Sequence, residues 1–248
     1  MDKEPSKKEP IDLYRFIYPI GKLALNHKYN LSVTGAENIL DTPTIYAANH
    51  IRPVDSLLLT EAYTEETGLP LRFVVKQGYL DGTGVDDKGK YGRTAKFLMS
   101  HTLQIPVSRE GNNRESYQLF EENVERTLTR GDSLAIHPEA TSSSDGRLYK
   151  FKSGAARLAM ANNVPITPVG LVYDSHTNSN KIDIKISFGQ PIFPQDLERL
   201  PYTMIPGVKN KADHITQVLE NRVAHLTGMK QANVFAVLRK LRQTNDNQ

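Results

Sequence analysis

The chain contains no cysteine. That excludes a disulfide framework, a thiolate nucleophile and a cysteine zinc site whatever the compartment, and leaves the compartment itself open. No stretch approaches the roughly 20 consecutive apolar residues a membrane-spanning helix needs. The N-terminus opens with Asp2, Lys3, Glu4, Lys7, Lys8 and Glu9 where a signal peptide would carry its apolar core. The expectation is a protein neither secreted nor membrane-spanning. Massed basic charge is missing too: the net charge is +3 over 248 residues, spread along the chain without interleaved aromatics. A nucleic-acid partner is therefore disfavoured, and an anionic membrane surface or anionic substrate fits better.

What is present reads as one sizeable α/β domain. From about residue 31, short β-rich runs alternate with helical patterns. Strands are expected near 31–34, 44–48, 72–76, 104–108, 133–137, 166–172 and 182–188, with helices near 54–66, 93–101, 113–129 and 153–162. This is the pattern of a mixed, largely parallel sheet flanked by helices. Residues 78–93, rich in Gly and Asp, read as a loop. After Pro206 the pattern stays helical through Ile215, Leu219 and Val223 and again through Val234 to Leu241, and the tail from Thr244 is expected to fray. Residues 1–29 stand apart as an N-terminal amphipathic segment, and 30–248 form the α/β domain with its C-terminal helices. Within that segment Leu13, Phe16, Ile17, Ile20 and Ala24 recur at helical spacing, and Pro19 is expected to kink or split the helix. Such a helix either lies in a lipid headgroup layer or packs on its own domain.

Three polar motifs fall at the carboxyl ends of predicted strands, the edge where open α/β sheets place ligands. They are His50-Ile51-Arg52-Pro53-Val54-Asp55, Arg109, and His137-Pro138-Glu139-Ala140-Thr141-Ser142. Pro53 suits the first turn of a helix, which puts Asp55 in that turn. From there a carboxylate can reach back to one ring nitrogen of His50 and leave the other to take a proton. The plainer alternatives are a helix-capping Asp55 and a satisfied loop histidine. Arg109 offers a planar fork for phosphate or carboxylate, or else pairs with Glu110. Arg147, Lys150 and Lys152 follow the third motif, either flanking an anionic ligand or lining a wet loop. No Gly-x-Ser-x-Gly elbow and no His-Glu-x-x-His spacing occur, so a serine triad and a metal site are both disfavoured. A histidine without a protein nucleophile beside it favours direct attack by a substrate hydroxyl.

These blocks resemble the glycerolipid acyltransferases typified by 1-acylglycerol-3-phosphate acyltransferase. Asn49-His50 with Asp55 is similar to the family's Asn-His-x4-Asp signature. Ile105 to Arg109 is similar to its second block, and His137 to Ser142 resembles its Phe-Pro-Glu-Gly-Thr-Arg block. Phe151 to Ala155 and Val164 to Val169 follow in the family's order. The resemblance implies that His50, oriented by Asp55, takes the proton from a lysolipid hydroxyl as it attacks the thioester of an acyl-CoA or acyl-carrier protein. It further implies that Asn49, Arg109, Glu139, Ala140 and Thr141 belong to the substrate site, and that the acceptor is a lysophospholipid handled at a membrane surface, on its cytoplasmic face. No metal, cofactor or covalent enzyme intermediate is implied. Two departures stand out: Ala140 and Ser142 occupy positions where the family has Gly and Arg, and Ser108 precedes Arg109 where an acidic residue is common. Arg147, Lys150 or Lys152 would then substitute for the missing guanidinium, or the acceptor carries no phosphate. A catalytically inactive lipid-binding relative and a hydrolase are the readings from other classes.

Overall fold

A computed structural model describes residues 13–78, 101–102, 104–108, 114–143, 145–174, 180–199 and 210–236. Within them, β1 (Tyr29–Thr34), β2 (Ile45–Ala48), β3 (Leu71–Lys76), β4 (Ile105–Val107), β5 (Ser133–Ile136), β6 (Ile166–Asp174) and β7 (Ile182–Phe188) form one sheet in the order β1-β7-β6-β2-β5-β3-β4. Every neighbouring pair is parallel except β6 with β7. The mixed, largely parallel sheet expected from the alternation is thus present, and each strand begins within two residues of its expected position.

The helices are α1 (Tyr14–Lys28), α2 (Asp55–Thr67), α3 (Arg114–Thr129), α4 (Gly154–Ala161), α5 (Pro194–Arg199) and α6 (Lys211–Thr227). Short α5 carries no readable period and was not expected. The expected helix near 93–101 and the loop 78–93 lie outside the described residues apart from His101 and Gly78, as does the chain beyond Ala236.

Alternation along β2 shows why the sheet is buried on both sides. Ile45 and Ala47 pack into a cluster with Phe120 and Val124 of α3, Ala155 and Ala159 of α4, and Ile215 and Leu219 of α6. Tyr46 and Ala48 point the other way, into a cluster with Leu58, Leu59 and Ala62 of α2. A strand covered on both faces reads as a continuous apolar run, as Ile-Tyr-Ala-Ala does. The connections leaving neighbouring β2 and β5 therefore run to helices on opposite faces, and the carboxyl ends of the two strands are left open between them.

The N-terminal helix is not split: α1 runs through Pro19. It packs on α2 through its tyrosines. Tyr14 Oη lies 2.5 Å from Thr64 Oγ1, Tyr18 Oη donates to Glu65 Oε1 at 2.6 Å, and Lys22 Nζ meets Glu65 Oε2 at 2.6 Å. The opposite side carries Phe16, Ile20 and Leu23, each at least 75% exposed. The tyrosines, Lys22 and Leu25 are thus turned inward, and Phe16, Ile20 and Leu23 outward. Tyr29, placed in the N-terminal segment from the pattern, opens β1 opposite Ile182.

Candidate active site

At the end of β2 the main chain leaves the sheet, and Asn49 takes over the ladder with its side chain. Its Nδ2 donates to Leu171 O at 3.0 Å while Leu171 N donates to its Oδ1 at 2.7 Å. Asn49 is fully buried by this exchange. Its carboxamide is therefore engaged with the main chain of β6 and turned away from solvent.

The freed chain presents His50. α2 begins only at Asp55, with Pro53 in the turn before it rather than in the first helical turn. Asp55 is fully buried and saturated. Its Oδ2 accepts from His50 Nδ1 at 3.0 Å, Ile51 N at 2.5 Å and Arg52 N at 2.8 Å, and its Oδ1 accepts a short hydrogen bond from Tyr173 Oη. Burial alone would push this carboxyl up, but the donors from His50, Tyr173, Arg52 and Ile51 outweigh it and hold the group below its ordinary value. An ionised Asp55 accepts only, so Nδ1 of His50 donates to it, which in the neutral ring leaves Nε2 as the acceptor. Asp55 does not cap α2, whose N-cap is Val54 without a side-chain cap bond. It orients the histidine, and it also gathers the amides of the loop entering α2.

The third motif is joined to the first by main-chain pins, since Ala47 of β2 lies opposite Ile136 of β5. Glu139 Oε1 accepts from His50 N and Glu139 Oε2 from Tyr149 N, both at 2.8 Å, and Ser143 N donates to His50 O at 2.7 Å. Burial raises the Glu139 carboxyl to about 7, against the lowering effect of the two amides. Glu139 is brought beside His50, buried, with each carboxylate oxygen bonded to a main-chain amide. Ala140 adopts a left-handed backbone, φ 62°, in the turn closed by Ala140 N to His137 O at 3.0 Å. The turn needs the conformation that glycine takes at least cost, which accounts for the family's Gly at this position. Thr141 follows in the same turn.

The cations behave differently. Arg147 is paired with Asp145, Nε to Oδ2 at 2.6 Å, and half exposed. Lys150 Nζ lies 5.7 Å from the Phe235 ring centroid. Lys152 points to solvent while its N–H donates to Pro138 O at 3.0 Å. Neither Arg147 nor Lys152 is brought against His50 by any of these contacts. Arg109 lies outside the described residues.

Three further residues contribute: Arg52 and His137 stand inside the first and third motifs, and Tyr173 alone carries no local sequence signal. Tyr173, 118 positions from Asp55, arrives from the end of β6. The Arg52 guanidinium carbon sits 4.1 Å from the Tyr173 ring centroid. The His137 ring stacks on His50, centroids 4.3 Å apart and planes 10° from parallel, where the family block has phenylalanine. His137 Nδ1 donates to Ala48 O at 3.1 Å, so Nε2 is the acceptor for Ser56 Oγ at 3.2 Å.

Burial, and then the neighbouring His50, lower His137 from 6.5 to about 4. The folded state refuses a proton that the unfolded chain takes up. The stability tied to His137 is therefore complete above about 6.5 and is lost as pH falls towards 4, with a limiting slope of about 1.4 kcal/mol per pH unit. His137→Phe keeps a flat ring against His50 and removes this titration. Urea unfolding measured across that interval is expected to give a shallower loss of stability in the variant; parallel curves would show that His137 is not the group responsible.

Known proteins give the arrangement a context. A family model described as Acyltransferase matches residues 30–172, more than half of the chain. The probable 1-acyl-sn-glycerol-3-phosphate acyltransferase of Mycoplasma pneumoniae is 24% identical over 211 residues, 79% of this chain and 74% of that protein. The chloroplastic 1-acyl-sn-glycerol-3-phosphate acyltransferases BAT2 of Brassica napus and LPAT1 of Arabidopsis thaliana are 28% and 30% identical over 174 and 146 residues, 66% and 58% of this chain. Those matches span 46% and 36% of the two plant proteins, less than half of either. Among solved structures, the 1-acyl-sn-glycerophosphate (LPA) acyltransferase PlsC from Thermotoga maritima aligns with a TM-score of 0.53 at 18% identity, covering 86% of this chain and 79% of that one, a likeness of fold. The extent of the family match, laid over the strands and motifs that build the His50 site, establishes that this chain belongs to the acyltransferase family.

Proposed function

We propose that the protein moves a fatty acyl group from an acyl thioester, acyl-CoA or acyl-carrier protein, to the hydroxyl of a lysophospholipid, with 1-acylglycerol-3-phosphate the leading acceptor. The observation that carries this reading is the His50–Asp55 pair, with Nδ1 anchored at 3.0 Å on a buried carboxylate at the end of β2. Nε2 accepts the hydroxyl proton as the oxygen attacks the thioester carbonyl, an ester C–O bond forms, the C–S bond breaks, and the proton passes to the departing thiolate. The scheme needs no metal and no acyl-enzyme. The names carried by the plant and Mycoplasma relatives support the acceptor class.

Ser142, where the family has Arg, favours a second reading in which the acceptor carries no phosphate. Product identification with acyl-CoA and acyl-carrier protein against a panel of lyso acceptors tests both. A new diacyl phospholipid is expected. Release of free fatty acid alone would assign a hydrolase instead, and vesicle binding without any transfer a lipid-binding relative.

The acceptor and product of such a reaction are lipids, so the reading includes peripheral or monotopic docking on the cytoplasmic face of a membrane. Among the described residues no helix is long and apolar enough to cross one. Phe16, Ile20 and Leu23 form the docking stripe, with Arg15 and Lys28 exposed on the same helix. Because those three side chains are not packed, replacing all of them by serine is expected to leave the fold intact. It should weaken partition to anionic vesicles by about tenfold or more. Unchanged co-sedimentation would remove α1 from the membrane contact.

A further inference from the structure

Arg52 stands between the base and the first turn of α2. Its N–H donates to Asp55 Oδ2 at 2.8 Å, and its guanidinium lies over the ring of Tyr173, whose hydroxyl holds the other oxygen of Asp55. Backbone and side chain are thus both fixed by the groups that orient His50. Among the described residues no carboxylate comes within ion-pair distance of this guanidinium, whereas Arg72, Arg130 and Arg147 each have an aspartate partner. Arg52 is also partly exposed. A cation over an aromatic face keeps the edge of its fork, with its N–H donors, available to a planar or tetrahedral anion.

Position 142, where the family carries arginine, is serine, and the three cations that follow it are drawn off to Asp145, to the Phe235 ring and to solvent. Among the described residues, the guanidinium fixed to the groups that orient His50 is that of Arg52. We infer that Arg52, seated on Tyr173, binds the phosphate of the acceptor and is the residue that selects a phosphate-bearing lysolipid over a neutral one. The identity of that substrate rests on the acyl-transfer reading above. The fork would suit any phosphate ester, so the phosphates of the acyl donor are the other source of the same chemistry.

Wild type, Arg52→Ala and Arg52→Lys are compared on lysophosphatidate, on monoacylglycerol and on the donor. In Arg52→Ala the ratio of kcat/KM for lysophosphatidate over monoacylglycerol is expected to fall about ten- to a hundredfold, through the KM of lysophosphatidate. Arg52→Lys should recover part of it, since an ammonium keeps the charge and loses the fork. An unchanged ratio, or a change confined to the KM of the donor, overturns the assignment. Calorimetric binding of a short-chain lysophosphatidate to wild type and Arg52→Ala needs no turnover. Binding weakened about tenfold or more supports the inference, and equal affinity overturns it even if neither protein transfers an acyl group, which separates this failure from failure of the acyl-transfer reading.

Discussion

Replacing His50 with alanine is expected to cut acyl transfer by about 10²- to 10⁴-fold while the protein stays folded. The size follows from what the ring supplies. A lysolipid hydroxyl is a poor nucleophile at neutral pH until a positioned base accepts its proton. The described structure ties one imidazole nitrogen of His50 to a buried carboxylate at 3.0 Å, and the proposed mechanism gives the other that role. The side chain is one-fifth exposed and contributes little to the core, so its loss should register in turnover rather than in the unfolding midpoint. Steady-state kinetics with a saturating donor, alongside circular dichroism and urea unfolding of the same preparation, make the measurement. A folded His50→Ala protein with near wild-type kcat would mean that another group, or none, takes the proton.

Glu139→Ala is expected to have the largest effect on the fold of any change near the site. Both carboxylate oxygens accept from main-chain amides at 2.8 Å, one belonging to His50 and one to Tyr149. Deleting the carboxylate strands two inward-facing N–H groups, at about 1 to 3 kcal/mol each. A total loss of about 2 to 6 kcal/mol is a large fraction of the roughly 5 to 15 kcal/mol that holds a domain together. Turnover should fall with stability, because the amide released on one side is that of the base itself. Glu139→Gln keeps one acceptor and turns an NH2 group against the other amide, so its loss should be intermediate. Urea unfolding of the three proteins orders them. Stabilities equal within about 0.5 kcal/mol would return Glu139 to the substrate side of the pocket.

The strands were legible because a sheet covered on both faces leaves short apolar runs, as at 45–48 and 168–173. The His50–Asp55 pair was legible for a different reason. Its two members are five positions apart across a single loop-to-helix junction, so the chain itself brings them together. Direction was harder to read than presence. Glu139 and Asn49 stand beside the base as the motifs imply, yet the side chains turn inward, because buried amides and a ladder end compete for them more strongly than solvent does. The apolar stripe of α1 was visible in the period, but which face meets the domain was decided by Tyr14, Tyr18 and Lys22, whose partners lie on α2. Tyr173 left no trace in local spacing. It reaches Asp55 only because β6 lies next to β2 in the sheet, a neighbourhood set by the crossovers.

Asn49 carries a consequence for how the protein ages. Its carboxamide imitates a peptide group, donating to the carbonyl of Leu171 and accepting from its N–H as a strand neighbour would. Hydrolysis of that one amide to a carboxylate would set an anion against a carbonyl oxygen in a buried position, with no proton left to donate. A single deamidation would then unfasten the last rung beneath His50.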